Sequence, residues 1–447
     1  MKLPIKSLFA ALFVGSASVA AAALAPDQEV PDRLDLPTAI GFALQNNFSI
    51  REARERIRQQ EGVIVEVRGR AIPNVAAQGL YQENTESISQ TFPATTNFWQ
   101  VSVTATQTLF AGGGVRSALK NASLVRESAV LDLQATINAA LLDVRTRFYS
   151  VLLAQEQIRV QEQNIALLKS QLTDSTNRFT AGTVSSFDKL RSQVSLANGQ
   201  VPLITARNNL RISVEQLRQS LGFTSHLSHS PSETIPTFVG DLKYVPSQFE
   251  LQSCLESARA NRPELARLAK LREANESQIV VAKSNYYPNL ALAGGWEAEK
   301  APFSLGGGSS SSVNGWHIGL QSQWNIFDGA STSGRVAQAK SVLEQSRLTL
   351  DEQTLGIDVA VRQAFSSWQE AMELTGATQQ TVGQADESLR QAKARYQAGS
   401  ATHLDVLQAE TDLTQARTNL VQANYTYAVA VAQLREATGL PDEDVVH

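Results

Sequence analysis

Apolar residues recur at every seventh position along two very long stretches of the chain, about 115–180 and about 331–397, neither of which contains a proline. The first stretch keeps this register from Val130 to Phe179, and the second breaks it at Thr375. A seven-residue repeat has a period of 3.5 residues, which favours a left-handed supercoil against a partner helix. At 1.5 Å per residue, each helix would be on the order of 100 Å long. The pattern therefore predicts two very long helices, each packed along a second helix.

The partner helix follows directly in both cases. Each long stretch ends near a glycine, Gly182 or Gly399, and a shorter stretch with apolar residues three or four positions apart comes next. Two helices with matching apolar stripes and a short turn between them pack as an antiparallel coiled coil. We therefore predict two helical hairpins, with their tips at the two glycine turns.

Apolar and polar residues alternate just before each long helix, starting at Trp99 and at Trp316. Alternation with a period of two is typical of a strand with one apolar and one polar face. A shorter strand-like run precedes each of these, across turn-rich loops at 87–96 and 302–313. The chain thus contains four candidate strands in two pairs, and two soluble β-hairpins remain an alternative on this pattern alone.

The chain contains an internal duplication of one structural unit. The segment 178–183 returns as 395–400, and tryptophans, phenylalanines and glycines elsewhere recur at the same offset. Each copy contains a helix, two strands and a long helical hairpin. We predict a first repeat at 24–222, a proline-bearing connector at 223–248, a second repeat at 249–440 and a C-terminal tail at 441–447.

The first 23 residues have the features of a secretory signal peptide. Lys2 and Lys6 precede an apolar stretch, and three alanines at 21–23 supply a cleavage site of small residues. A membrane anchor is the alternative, but the polar segment 26–29 follows at once. The protein is therefore predicted to leave the cytoplasm.

Composition excludes several classes of protein. The formal net charge is -4 and no Lys/Arg-rich run is present, which argues against a nucleic-acid partner. The single cysteine, Cys254, rules out an intramolecular disulfide. His226 and His229 lie in the connector without a suitable third ligand, so we expect no metal site. We also expect no cofactor and no enzymatic activity, because no catalytic constellation stands out.

The number of strands constrains the architecture. In lipid, only a closed barrel satisfies the backbone of every strand. Membrane barrels have at least about eight strands, so four cannot close. If these strands cross a membrane, several copies of the chain must share one barrel, and three or four copies would both suffice.

Taken together, these features resemble the TolC family of outer-membrane efflux and secretion ducts. The resemblance implies a mixed α and β fold, in which three chains share a transmembrane β-barrel that continues into a periplasmic helical barrel. It also implies a passive duct of a tripartite efflux pump or type I secretion system, working with a periplasmic adaptor and an inner-membrane transporter. The segments that carry the resemblance are the R-[FY]-x-A-G-x-x-x-x-x-D motifs at 178–188 and 395–405, the Pro-Asn pairs at 73–74 and 288–289, and the Phe-x-Gly triplets at 110–112 and 327–329.

The resemblance further suggests functional residues. Asp188, Tyr396 and Asp405 match positions that close the periplasmic aperture, whereas Gln408 and Ala401 depart from charged residues of some members. Trp99 and Trp316 are expected at the membrane interface, where aromatic residues meet the lipid headgroups. The expected adaptor-docking tips are Thr180, Ala181, Gly182, Thr183, Val184, Gln397, Ala398, Gly399, Ser400 and Ala401.

Simpler explanations stand beside these assignments. Gly182 and Gly399 could serve only the positive φ of a tight turn. Asp188 and Asp405 each lie near the start of a return helix, where an acidic residue caps the helix. A periplasmic coiled-coil adaptor without its own pore is the alternative function, although adaptors typically carry one hairpin rather than two.

Overall fold

The computed structural model describes residues 33–83, 85, 97–223, 236–300 and 312–440. The predicted signal peptide at 1–23 and the predicted tail at 441–447 lie outside the described residues, as do His226 and His229.

Each half of the chain runs through helices, two strands and a long hairpin. The elements of the first half are β1 (Arg33–Asp35), α1 (Leu36–Asn46), α2 (Phe48–Gly69), β2 (Asn74–Glu83), β3 (Asn97–Ala111), α3 (Gly114–Thr180) and α4 (Ser186–Leu221). Those of the second half are β4 (Thr237–Val239), α5 (Leu251–Asn261), α6 (Pro263–Lys283), β5 (Asn289–Lys300), β6 (Ser312–Gln323), α7 (Ser331–Gln397) and α8 (His403–Ala437).

The two long helices are confirmed, because α3 and α7 each contain 67 residues. Their heptad positions face the core, with Val144, Val151, Val361 and Trp368 buried. Thr375, which breaks the apolar pattern, is also fully buried, and its hydroxyl donates to the carbonyl of Ala371 at 2.8 Å. The seam tolerates this polar residue because the helix backbone supplies its hydrogen-bond partner.

The helical segment predicted at the start of each copy is two helices rather than one. Asn47 interrupts the first segment, since its side chain accepts hydrogen bonds from the backbone of Ser49 and Ile50 and thereby caps α2. Arg262 interrupts the second segment, since the following proline disfavours a helical conformation for the residue before it.

These interruptions receive the ends of the return helices. Gly222 ends α4 with φ +78°, and a Cβ there would come within 2.3 Å of the carbonyl oxygen of Asn46. The Asn47 amide also donates to the carbonyl of Ser220 at 2.7 Å. In the second copy, Gly439 makes the equivalent approach to Asn261. Both repeats therefore close their hairpins with a glycine against a helix junction.

The four predicted strands form one antiparallel sheet in the order β2-β3-β5-β6. Pairing of β3 with β5 joins the two copies, for example where Val103 lies opposite Trp296. The described residues leave β2 and β6 at the edges of this sheet, and every residue of both edge strands is exposed. Among the described helices, none combines the length and apolar character needed to cross a bilayer.

The connector also contains a strand that was not predicted from the sequence. Its strand β4 pairs in parallel with β1, with Phe238 opposite Leu34. The strap at 236–250 then crosses both cores. Phe238 packs against Phe148 of the first hairpin, whereas Phe249 packs edge-on against Trp368 of the second.

Candidate functional site

The two hairpin tips have the same geometry. Gly182 and Gly399 adopt φ values of +74° and +75°, which favour glycine. The next residue donates its backbone N–H back to the helix, from Thr183 to Arg178 and from Ser400 to Arg395, each at 2.9 Å. These bonds satisfy carbonyls that a helix end would otherwise leave unpaired. Each tip is therefore a tight turn with its backbone hydrogen bonds satisfied.

The predicted docking residues lie at the outer surface of these turns. Val184 and Ala401 are half-buried, and the others are exposed. The exposed ones are Thr180, Ala181, Gly182, Thr183, Gln397, Ala398, Gly399 and Ser400.

Asp188 and Asp405 occupy helix caps. Asp188 forms a capping box with Ser185 at the start of α4, and Asp405 forms one with Thr402 at the start of α8. Hydrogen bonds from the backbone and hydroxyl of Thr402 lower the pKa of Asp405 below its usual value. Gln408, one turn further, donates to Asp412 of its own helix at 2.8 Å. The capping explanation for the two aspartates is thus confirmed, and their role in an aperture stays a prediction.

Tyr396 makes a contact between the two hairpins that was not predicted from the sequence. The Arg178 guanidinium of α3 lies 4.7 Å from the centre of the Tyr396 ring on α7. Asp174 holds this arginine in place through an ion pair at 3.0 Å. Burial raises the pKa of the Tyr396 phenol above its usual value. A cation–π contact of this kind contributes about 0.5–2 kcal/mol.

His403 is a second contact between the hairpins that was not predicted from the sequence. The residue is 6% exposed, with its Nδ1 2.7 Å from Nε2 of Gln171 and its Nε2 3.0 Å from Oγ of Ser192. Burial lowers the pKa of this imidazole. His403 and Glu410 lie seven positions apart on α8, the spacing of residues on one coiled-coil seam.

Glu410 is a buried acid within the second hairpin. It is 1% exposed, and the Lys393 ammonium of α7 lies 3.2 Å from its Oε1. Burial raises the pKa of Glu410, although Lys393 opposes this effect. One turn on, the Thr414 hydroxyl donates to Asn164 of α3 at 3.1 Å and adds another link between the hairpins.

The sheet has one apolar and one polar face, because residues directly opposite each other in an antiparallel pair share a face. Trp99 lies opposite Tyr81, and Trp316 lies opposite Trp296. Trp316 is 79% exposed on the apolar face. Tyr81 and Trp296 join the two predicted aromatic residues there, and only the strand register could identify them.

The described residues contain no cluster of three or more side chains suited to hold a metal ion.

Comparison with known proteins agrees with this architecture. The family model described as outer membrane efflux protein matches residues 39–223 and 254–440. The chain is 25% identical over 390 residues to the cobalt-zinc-cadmium resistance protein CzcC of Cupriavidus metallidurans, an alignment that covers 85% of this chain and 84% of CzcC. It is 24% identical to the outer membrane protein TolC of Escherichia coli, over 68% of this chain and 62% of TolC.

The fold is also shared with a solved structure. The crystal structure of CusC superposes with a TM-score of 0.76 at 18% sequence identity, covering 91% of this chain and 92% of CusC. The predicted TolC-like fold is thereby confirmed, and the matches favour the outer-membrane channel over the adaptor. Because the family model matches both halves of the sequence, the chain belongs to the outer membrane efflux protein family.

Proposed function

We propose that three copies of this chain form one passive duct, with a twelve-stranded barrel in the outer membrane and a helical tunnel through the periplasm. The observation that carries this proposal is the two-faced sheet with its two free edges. Transport through such a duct requires no bond chemistry, and the chain would act as a conduit rather than an enzyme.

The two faces of the sheet suit lipid on one side and water on the other. Alternating strands of this kind are typical of outer-membrane barrels. The apolar face carries Tyr81, Trp99, Val101, Val103, Leu292, Trp296, Trp316, Ile318 and Leu320. The opposite face carries Gln78, Gln100, Ser102, Thr104, Thr106, Glu297, Glu299 and Gln321.

The dimensions of the sheet support the same proposal. Strands β5 and β6 have 12 residues each. At about 3.3 Å per residue and a tilt of about 40°, such strands rise about 30 Å, the thickness of the hydrocarbon core. The edges β2 and β6 would leave backbone groups unpaired in lipid, so neighbouring copies must cover them.

The tips are proposed to meet a periplasmic adaptor, which links the duct to an inner-membrane transporter. Their exposure and their identical turns make them accessible at the end of each hairpin. CzcC bears a name that refers to cobalt, zinc and cadmium resistance. We propose that the pump, rather than residues of this chain, selects the cargo, in an efflux pump or a type I secretion system.

Two measurements test the duct. We expect the detergent-solubilised protein to have the mass of a trimer and to produce discrete conductance steps in planar bilayers. Recovery of the full-length chain as a water-soluble periplasmic monomer would contradict the proposal. A pure trimer without conductance would contradict it equally.

A photo-crosslinking residue tests the tips. Placed at Ala181 or Ala398, it should capture the adaptor in cells. Placed at Gln200, an exposed position along α4, it serves as the matched control and should capture much less. Equal capture at all three positions would argue against docking at the tips.

A further inference from the structure

The sheet meets the helices at four junctions, and all four lie at the same end of the sheet. Asn289 begins β5 opposite Ala111, the end of β3, and opposite Gln323, the end of β6. Strand β2 begins at Asn74, beside the last residues of β3. In the proposed duct, the helices continue from this end into the periplasm. The junctions therefore lie at the inner surface of the outer membrane.

Exposed aromatic side chains gather at these junctions. Trp324 directly follows β6, and its indole Nε1 donates to the carbonyl of Tyr286, just before β5, at 3.1 Å. A β-bulge in β3 brings Phe110 opposite Leu290, which shares the apolar face with Leu292 because residues two positions apart on a strand share a face. Tryptophan and tyrosine favour the boundary between hydrocarbon and water. The junctions therefore mark the level of the lipid headgroups.

Basic residues are concentrated at the same level. The four junction stretches, 66–73, 110–121, 280–288 and 324–340, contain seven basic residues and two acidic ones. The whole chain, by contrast, has a formal net charge of -4. The end of the sheet next to the helices is thus positively charged on an otherwise acidic molecule.

Six of these basic side chains are available to a partner outside the chain. Arg70, the seventh, lies 3.9 Å from Glu66, and the other acid, Asp328, accepts a hydrogen bond from the backbone of Thr332 at 2.8 Å. The six are exposed, and none of them forms an ion pair within the described parts of the chain. We call these six residues the basic belt: Arg68, Arg116, Lys120, Lys283, Arg335 and Lys340.

Helix stability accounts for only part of the basic belt. The helix dipole favours Arg68 and Lys283, in the last turns of α2 and α6, but it disfavours Arg116 in the first turn of α3. The offset of 217 between the two copies aligns Arg116 with Ser333, and α7 carries its arginine two positions later, at Arg335. Both copies thus have positive charge at this level but at different positions, which suits a diffuse charged surface better than one protein contact.

We propose that the basic belt binds the anionic headgroups of phospholipids in the inner leaflet of the outer membrane and thereby sets the depth of the barrel. This inference rests on the proposed duct and adds a lipid partner to it. Each lysine or arginine close to an anionic membrane surface strengthens binding about fivefold. The attraction is electrostatic, so high salt screens it.

Lipid retention by the full-length trimer tests this inference. The detergent-solubilised trimer is mixed with equal amounts of phosphatidylglycerol, which is anionic, and phosphatidylcholine, which is zwitterionic, and the lipids that remain bound after gel filtration are measured. We expect at least about ten times more phosphatidylglycerol than phosphatidylcholine at about 0.1 M salt, and a ratio close to one at about 1 M salt. Equal retention of both lipids at low salt would overturn the proposal.

A pair of double variants on one helix separates the basic belt from general charge. R116Q/K120Q should lower the ratio of phosphatidylglycerol to phosphatidylcholine about fivefold while the trimer mass stays unchanged. R159Q/K169Q removes the same charge from exposed positions of α3 nearer the tips and should keep the wild-type ratio. Equal ratios in the two double variants would contradict the assignment. If R116Q/K120Q does not assemble, R335Q/K340Q on α7 is compared with the same control.

Conductance in planar bilayers distinguishes the remaining outcomes. If the basic side chains faced the water-filled interior, R116Q/K120Q would change the ion selectivity and leave the lipid ratio as in the wild type, which would overturn the proposal. A conducting wild-type trimer without a preference for phosphatidylglycerol would reject the basic belt and leave the duct intact. Absence of a trimer or of conductance in the wild type would instead reject the proposed function.

Discussion

Glu410 illustrates how single residues set the properties of the coiled-coil seams. An ionised acid inside a hairpin is unfavourable unless a cation pairs with it, and Lys393 is that cation. Lys393 is 38% exposed, so it reaches from the surface into the seam. Because burial raises the pKa of Glu410, its protonation favours the folded state, and the stability this group contributes falls as pH rises through its pKa.

Removal of Lys393 should therefore destabilise the protein in a pH-dependent way. K393M should lower the free energy of unfolding by about 3 kcal/mol near pH 8, where Glu410 is left charged and unpaired. Near pH 5 the loss should shrink, because Glu410 takes up a proton. Thermal unfolding followed by circular dichroism measures the loss of stability at both pH values. K169M, at an exposed position on α3, is the control. A loss independent of pH would show that Glu410 is not the cause.

At the level of the elements, the ends of the helices determine how each hairpin closes. Ser185 and Thr402 cap the return helices through their side chains. In each case the aspartate three residues later accepts a hydrogen bond from the backbone N–H of the capping residue. Glycines end the same helices at the junctions with α1–α2 and α5–α6. These end contacts define where each hairpin turns and where it docks.

Loss of a cap should weaken the tip without affecting the strands. T402A and S185A should each lower the free energy of unfolding by about 0.5–2 kcal/mol, because the backbone N–H of the aspartate three residues later loses its hydroxyl acceptor. Hydrogen exchange should accelerate in the first turn of the affected return helix and stay unchanged in the other hairpin. Uniform acceleration throughout the protein would contradict a local role.

Two glycines with similar backbone angles provide a matched comparison. G182A should be only mildly destabilising, by about 1 kcal/mol, because φ is positive but the surrounding space is open. G222A has the same conformational strain and also a Cβ within 2.3 Å of the Asn46 carbonyl. We expect a loss at least about twice as large, measured by the midpoint of thermal unfolding. Equal losses of stability would mean that the α1–α2 junction shifts to accommodate the added methyl group without further cost.

On the scale of the whole molecule, the sheet is incomplete in one chain. Its apolar face and its two edges are both exposed, whereas the helical cores close within the chain. In the proposed trimer, assembly would depend on the sheet, and its lipid-facing side should tolerate charge poorly.

A pair of lysine substitutions on one strand tests that assignment. I318K places a charge on the apolar face of β6 and should cost about 2–4 kcal/mol if the residue faces the bilayer centre. It should reduce the amount of heat-stable trimer recovered from membranes. Q321K lies on the opposite face of the same strand and should assemble normally. Equal recovery of both variants would contradict the assigned faces.

The helices and strands could be predicted from sequence because one-sided burial leaves a local periodic pattern. The heptads of α3 and α7 and the alternation after Trp99 and Trp316 depend only on neighbours along the chain. The duplication was predictable for the same reason, since an internal repeat is found by comparing the residues of one half of the chain with those of the other half. The breaks at Asn47 and Arg262 were local too, but their capping and proline signals were weaker than the helical period around them.

The tertiary structure alone decided which distant segments meet. The β3–β5 pairing, the strap between the two cores and the partners of His403 all join residues far apart in sequence, and no local pattern specifies them. A histidine at the start of a helix has the same appearance in sequence whether it faces water or a glutamine on another hairpin. The sequence by itself determined the periodic elements and the repeat, whereas packing decided the contacts between hairpins, because contact depends on geometry rather than on order along the chain.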